Sequence, residues 1–230
     1  MIVITGATGR LGGAVLREVL ERLPAKEIGV STTSPEKLDD VARRGVRVRR
    51  GDYDDPATLD HAFEGADRVL LVSAPRMCEA ATAAHRVAID AARRAGVERL
   101  FYTSHVGADA LSPFPPAVTH AATEVMLKDS GLAFTAVRNG FYADTPIRLV
   151  QDAVAAGELR LPMDGPVSWT TRDDLAPAIA ALLLDPAIED AVVNLTAGAA
   201  VDAEGLAAIA STIAGRPIPL RRLSDADYLA

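Results

Sequence analysis

The sequence predicts an α/β protein, a doubly wound parallel sheet with a small C-terminal α+β lobe. Apolar β-type runs alternate with helical patterns along most of the chain, the mark of a parallel sheet covered on both faces. The first such run, Met1 to Thr5, passes into a glycine-rich turn and then a helix. After Gly140 the alternation loosens. The expected division is residues 1–140 for the sheet domain and 141–230 for the lobe, interleaved with it.

The elements follow in order. Leu11, Val15, Val19 and Leu23 recur every fourth residue and mark the first helix. Residues 27–31 read as strand two. Ser34 and Pro35 then start a helix to Arg44, as N-cap and first helical residue. Val46, Val48 and Arg50 give strand three, Pro56 to Phe63 a short helix, and residues 68–73 a buried fourth strand. Ala80, Ala84, Val87, Ala88, Ala91 and Ala95 line one face of a long helix that Gly96 ends. Strand five spans 98–103 and strand six 132–138, with a proline-rich loop over 104–116 and a helix to Ser130 between them. Helices over 142–156, 172–184 and 201–214 follow, the last capped by Asp202. Short strands are expected within 157–166, over 191–195 and over 217–222.

Composition narrows the function. The chain has 230 residues, 49% of them hydrophobic, enough for a large core. Its net charge is −7 with no basic block, which argues against a phosphate-neutralising nucleic-acid surface. No apolar run reaches membrane-spanning length, and no basic segment followed by an apolar one opens the chain. Cys78 is the only cysteine, so neither an internal disulfide nor a cysteine-based zinc site is available, and no metal is expected. A reducing cytoplasm fits. Ser224 to Asp227 reads as a helix start just before Ala230; either the sequence is part of a longer chain or the protein is unusually short.

The motif that carries chemistry is Gly6-Ala7-Thr8-Gly9-Arg10-Leu11-Gly12. Strand, glycine turn and helix in this order form a phosphate cradle. Gly6 permits the tight turn and Gly9 lets the backbone approach a pyrophosphate. Gly12 lets helix and strand pack closely, and the helix N-terminus presents N–H groups to the anion. The spacing is GxxGxxG. A packing role alone is the rival reading for an isolated turn, but the strand–helix context favours nucleotide binding.

With the tracts Gly51-Asp52-Tyr53, Leu70-Leu71-Val72-Ser73, Tyr102-Thr103-Ser104 and Arg138-Asn139-Gly140, the turn resembles the NmrA-like group of atypical short-chain dehydrogenases/reductases. Within that group the chain is most similar to the bacterial NADPH-dependent quinone oxidoreductases of type 2 and the triphenylmethane reductases, from Met1 to about Tyr228. The resemblance implies a Rossmann-type sheet, an NADP(H) coenzyme with NAD(H) as the alternative, and a small planar substrate. It leaves a homodimer open. Relatives of this kind would continue past Ala230 with further helical chain.

Residue roles follow from the turn, the strand ends and the resemblance. Gly6, Thr8, Gly9, Arg10, Leu11 and Gly12 form the cofactor turn. Strand two ends in Ser31-Thr32-Thr33-Ser34, with no acid to hold a ribose 2′-hydroxyl, which argues against strict NAD use. The resembled reductases carry an arginine where this chain has Thr33. Losing a charge-assisted bond of about 1.5–3 kcal/mol would weaken NADP binding about tenfold to a hundredfold. The hydroxyls of Thr32 and Thr33, Lys37 and Arg10 are candidate replacements, although Lys37 reads equally well as a solvated helix residue. The resemblance puts Asp52 beside the adenine, with Tyr53 next to it; a plain turn aspartate is the rival reading. Ser73, Ala74 and Pro75 end strand four, where small residues admit the ribose and nicotinamide; Ser104 ends strand five in the same way.

For catalysis, the Tyr-x-x-x-Lys pair of many short-chain dehydrogenases is missing. His120 and Glu124 stand four residues apart on one helix face, as a proton donor and the group that orients it or raises its pKa, or as a surface polar pair. Asn139 is a further catalytic candidate, near the nicotinamide by resemblance. Phe141, Tyr142 and His105 are candidates for binding a planar substrate; the two aromatics read equally as core residues. His85, among Arg86, Arg93 and Arg94, reads as solvated, and Trp169 as packing between the lobes. The leading expectation is an NADP(H)-dependent reductase that transfers hydride to a conjugated acceptor such as a quinone. A nucleotide-sensing regulator without turnover is the alternative, and an isomerase or epimerase with tightly held cofactor a third reading.

Overall fold

The computed structural model describes residues 1–189 and 191–229, the last without its side chain. Its strands are β1 (Ile2–Thr5), β2 (Ile28–Thr32), β3 (Arg47–Arg50), β4 (Arg68–Leu71), β5 (Arg99–His105), β6 (Ala133–Asn139), β7 (Leu159–Leu161), β8 (Val192–Leu195) and β9 (Leu220–Arg222). Its helices are α1 (Arg10–Leu20), α2 (Asp39–Arg43), α3 (Pro56–Phe63), α4 (Cys78–Arg94), α5 (Pro115–Asp129), α6 (Asp144–Ala156), α7 (Arg172–Leu184), α8 (Ala203–Ala214) and α9 (Asp225–Leu229). They form two compact units: Met1–Asn139 with Arg172–Leu195, and Gly140–Thr171 with the chain from Thr196 onward.

The first unit is a parallel sheet of order β3-β2-β1-β4-β5-β6-β8, a doubly wound Rossmann-like arrangement. The order reverses between β1 and β4, which opens a crevice at the carboxyl ends of the strands where such sheets take ligands. Side chains alternate across each strand. Val3, Val69, Leu71, Leu100 and Tyr102 pack against Leu59, Phe63, Ala88, Ile89, Ala92 and Leu127 from α3, α4 and α5. Ile2, Ile4, Leu70 and Phe101 are buried on the opposite face, where α1 and α7 pack on one another. Arg68 donates at 2.7 Å to the carbonyls of Leu183 and Asp185, satisfying acceptors that the end of α7 leaves open.

Helices α3 and α7 have the expected limits. The stretch expected as one helix over 35–44 divides into a 3-10 turn, Pro35–Leu38, and the short α2. Ser34 makes no capping bond; instead its N–H donates to Thr32 Oγ1 at 3.2 Å, which bends the chain before a helix can start. Strands β5 and β6 run further than expected because they pair as far as His105 opposite Asn139. Residues 172–195, placed with the lobe in the sequence reading, return to the first unit, where β8 pairs with β6.

In the second unit, β7 and β9 pair in parallel, and α6 and α8 bury Val150, Ala153, Leu161, Leu206, Ala210 and Ile218. Asp202 caps α8 by accepting from the N–H of Gly205 at 2.9 Å. Arg222 donates at 2.6 Å to both Asp164 and Glu204.

Candidate functional site

The glycine turn leaves β1 at Gly6, whose φ of +63° favours glycine. A Cβ on Gly12 would lie 2.4 Å from the carbonyl oxygen of Gly6, so helix and turn are in backbone contact. Gly9 differs. Its φ of −87° suits any residue, and a Cβ there would meet only the Gly6 carbonyl at 3.2 Å. Thr8, Gly9 and Arg10 are exposed, while the side chain of Leu11 is in the core. No side chain caps α1, so its first turn presents backbone amides rather than satisfied ones. This geometry suits a pyrophosphate.

Thr32 is buried and its hydroxyl oxygen accepts from the N–H of Ser34; Thr33 and Lys37 are exposed. Asp52 accepts from the N–H of Asp54 at 3.1 Å, an Asx turn, and Arg50 lies 3.4 Å from its other oxygen. Tyr53 donates to the carbonyl of Val72 at 3.3 Å, and burial raises its pKa. The N–H of Ser73 donates to Thr103 Oγ1 at 2.8 Å, Ala74 is buried and Pro75 exposed.

Behind β4 and β5 lies a buried polar cluster. The N–H of Ala74 donates to His85 Nε2 at 2.9 Å, so that nitrogen is unprotonated. Nδ1 therefore carries the proton and faces Thr123 Oγ1 at 2.9 Å, and Thr123 donates on to the carbonyl of Thr119. Burial pushes the His85 pKa down to about 4, with His120 adding to the effect. The ring is fully buried, contrary to the solvated face read from its arginine neighbours. Helical spacing explains the difference: His85 shares the inward face of α4 with Ala81, Ala84, Ala88 and Ala92.

Tyr102, also fully buried, has its hydroxyl 2.7 Å from His120 Nδ1. Burial is the main cause that raises the phenol pKa. For His120, burial and then His105 push the pKa down to about 4, and Glu124 pulls it upward less strongly. Both groups are thus neutral at pH 7. A phenol is a stronger acid than a neutral imidazole N–H, so Tyr102 donates to Nδ1 and the His120 proton sits on Nε2. In the sequence Tyr102 stands only in the tract Tyr102-Thr103-Ser104, with no site role, because it lies within an apolar strand; the one available signal was that a buried tyrosine hydroxyl needs a partner.

Glu124 is not the partner of His120. Arg138 holds its carboxylate with two bonds, at 2.9 and 2.5 Å, and Ser104 donates to it at 2.6 Å. One helical turn does separate His120 and Glu124, but the guanidinium of β6 is a stronger partner for the carboxylate than a neutral ring. The His105 ring stacks on His120 with centroids 6.0 Å apart.

Asn139 ends β6, is 2% exposed, and has neither amide oxygen nor amide nitrogen hydrogen-bonded. An unpartnered buried carboxamide costs stability unless a ligand completes it. In the second unit, Phe141 is partly exposed and meets Trp169 edge-on at 6.1 Å, while Tyr142 bridges to Thr170. Among the described residues no group of three or more His, Cys, Asp or Glu side chains is placed to hold a metal, and no helix is long and apolar enough to cross a membrane.

Sheet order, glycine turn and uncapped helix together define a dinucleotide-binding protein. A family model described as NAD(P)H-binding matches residues 6–186. Quinone oxidoreductase 2 of Escherichia coli is 36% identical over 231 residues, covering 100% of this chain and 80% of that protein. The crystal structure of the E. coli NADPH-dependent quinone oxidoreductase complexed with NADPH superposes with a TM-score of 0.92 at 35% identity, covering 99% of this chain and 80% of that one. Triphenylmethane reductase of Citrobacter sp., complexed with NADP(H), gives a TM-score of 0.90 at 31% identity over 99% of this chain and 81% of that one. The chain belongs to the NAD(P)H-binding, NmrA-like family of reductases.

Proposed function

We propose that the protein is an NADP(H)-dependent oxidoreductase that passes hydride to a planar, conjugated acceptor such as a quinone. The observation that carries this reading is the end-to-end similarity to a quinone oxidoreductase, 36% identity over 100% of the chain. Two features support a bound coenzyme: Gly9 is exposed at the start of α1, where no side chain occupies the N-cap, and Asn139 offers an unsatisfied carboxamide at the carboxyl edge of the sheet.

The bound dihydronicotinamide would supply the hydride. The turn from Gly6 to Gly12 would hold the pyrophosphate through backbone amides, with Thr8 and Arg10 beside it. Asp52 and Tyr53 would border the adenine, and Ser73 to Pro75 the ribose and nicotinamide. Asn139 would pair with the nicotinamide carboxamide and so fix which face of the ring is presented. Phe141 and Tyr142 would stack on the acceptor. Ser104 would act indirectly, since its hydroxyl holds Glu124. A quinone is electrophilic already, so the chemistry asks little of an acid. Neutral His120, its Nδ1 occupied by Tyr102, would donate a hydrogen bond from Nε2 to the acceptor oxygen as charge develops there.

A reducing cytoplasm suits a chain whose single cysteine, Cys78, is exposed and unpaired. A homodimer belongs to the same proposal, and light scattering on the purified protein checks it. The deciding experiment is NADPH consumption with a panel of quinones. Turnover is the expected result. Tight nucleotide binding with no turnover on any acceptor would point instead to a nucleotide-sensing regulator.

A further inference from the structure

With Arg10 placed beside the pyrophosphate, the 2′-phosphate of the coenzyme has only Thr32, Thr33 and Lys37 among the sequence candidates. The 2′-phosphate of NADP(H) is strongly anionic and is met at the carboxyl end of β2. There this chain has Thr33, exposed and uncharged, and the neighbouring Thr32, whose buried hydroxyl accepts from the Ser34 N–H and carries no charge. Lys37 is exposed on the 3-10 turn beyond.

The neighbour of β2 on its outer side is β3, whose last residue is Arg50. The register sets Arg50 opposite Thr32. The strand ends lie close together. The N–H of Gly51 donates to the carbonyl of Thr32 at 2.9 Å, and a Cβ on Gly51 would fall 1.9 Å from Ser31 Oγ. Paired strands lie about 4.8 Å apart, so the Arg50 side chain starts beside the residue that precedes Thr33. Its guanidinium is well exposed and makes one long contact, Nη2 to Asp52 Oδ2 at 3.4 Å. That contact leans the guanidinium toward the loop after β3 and partly neutralises Asp52, while Nη1 and Nε stay available. An arginine so placed offers a phosphate two parallel N–H donors.

We propose that Arg50 reads the 2′-phosphate of NADP(H), supplying from β3 the charge that the resembled reductases carry on the residue matching Thr33. The assignment rests on the NADP(H) reading above.

Calorimetric titration with NADPH and NADH tests it, with adenosine 2′,5′-bisphosphate and adenosine 5′-monophosphate as fragment probes. Wild type is expected to prefer NADPH, and the bisphosphate over the monophosphate. Arg50→Gln should weaken NADPH and the bisphosphate about tenfold to a hundredfold, and leave NADH and the monophosphate within about twofold. Adding Thr33→Arg to Arg50→Gln should restore the preference. A wild type that binds both coenzymes equally overturns the NADP(H) reading and this assignment with it. A wild type that prefers NADPH, joined to an Arg50→Gln variant with the same preference, overturns the Arg50 assignment alone, as does a variant that loses both coenzymes equally.

Discussion

His85 fits its place only as a neutral ring, because Ala74 donates to one nitrogen and the other is paired with Thr123. Folding lowers its pKa from the ordinary histidine value of 6.5 to about 4, and that of His120 falls in the same way. Between those values the unfolded chain binds protons that the folded one refuses. Stability therefore falls as pH drops through 6.5 toward about 4 and is insensitive to these groups above that window. Each histidine accounts for on the order of 3 kcal/mol over the window. His85→Leu should flatten this dependence while costing about 1–3 kcal/mol at neutral pH, because the Ala74 N–H loses its acceptor. Urea midpoints at about pH 7.5 and about pH 4.5 measure both effects, and an unchanged slope would refute the assignment. His120 makes a kinetic prediction at the same scale. If the ring acts while neutral, kcat/KM for a quinone stays flat between about pH 6 and pH 8, and His120→Asn lowers kcat only about tenfold. An acid limb near the ordinary histidine pKa would show instead that a charged ring does the work.

The glycine turn is an element whose residues have separable duties. Gly12 is packed against the Gly6 carbonyl, so Gly12→Ala should lower stability by about 1–3 kcal/mol, read from the thermal midpoint. Gly9 has an ordinary backbone conformation, and a side chain there would meet a single backbone oxygen. Gly9→Val should keep the fold yet weaken NADPH by at least about a hundredfold in calorimetry; unchanged affinity would make the turn purely structural. This element was legible because its signal is local: three glycines, a strand before and a helix after. So were α3, opened by Pro56 at its first position, and the cap at Asp202. What could not be read depends on which elements meet. Tyr102 and His120 come from a strand and a helix separated by a long loop, and their bond exists only once α5 lies on the sheet. Glu124 looked like a partner for His120 by spacing, but Arg138 arrives from β6 and takes it. A helix–strand pattern over 172–195 likewise does not say which sheet edge the strand will join.

At the scale of the whole chain, each unit has its own core, one built around Phe63, Leu100 and Leu127, the other around Val150, Leu161 and Leu206. The coenzyme turn belongs to the first. NADPH at about a hundred times its Kd should add about 2.7 kcal/mol to the transition that melts the first unit. For a protein of this size that is a rise of roughly 5–10 °C, visible by scanning calorimetry. No rise with NADPH would contradict the coenzyme reading.

The path of the chain carries a cost that appears during synthesis. Strand β6 is made long before β8, its partner on the outer side, and the second unit's α6 and β7 are translated in between. Until Val192 to Leu195 has left the ribosome, the second half of β6 is an unpaired strand edge with an open row of amides and carbonyls. Such an edge recruits other strands. The polypeptide is thus open to chaperones, and to misassociation, while the stretch between β6 and β8 is being translated.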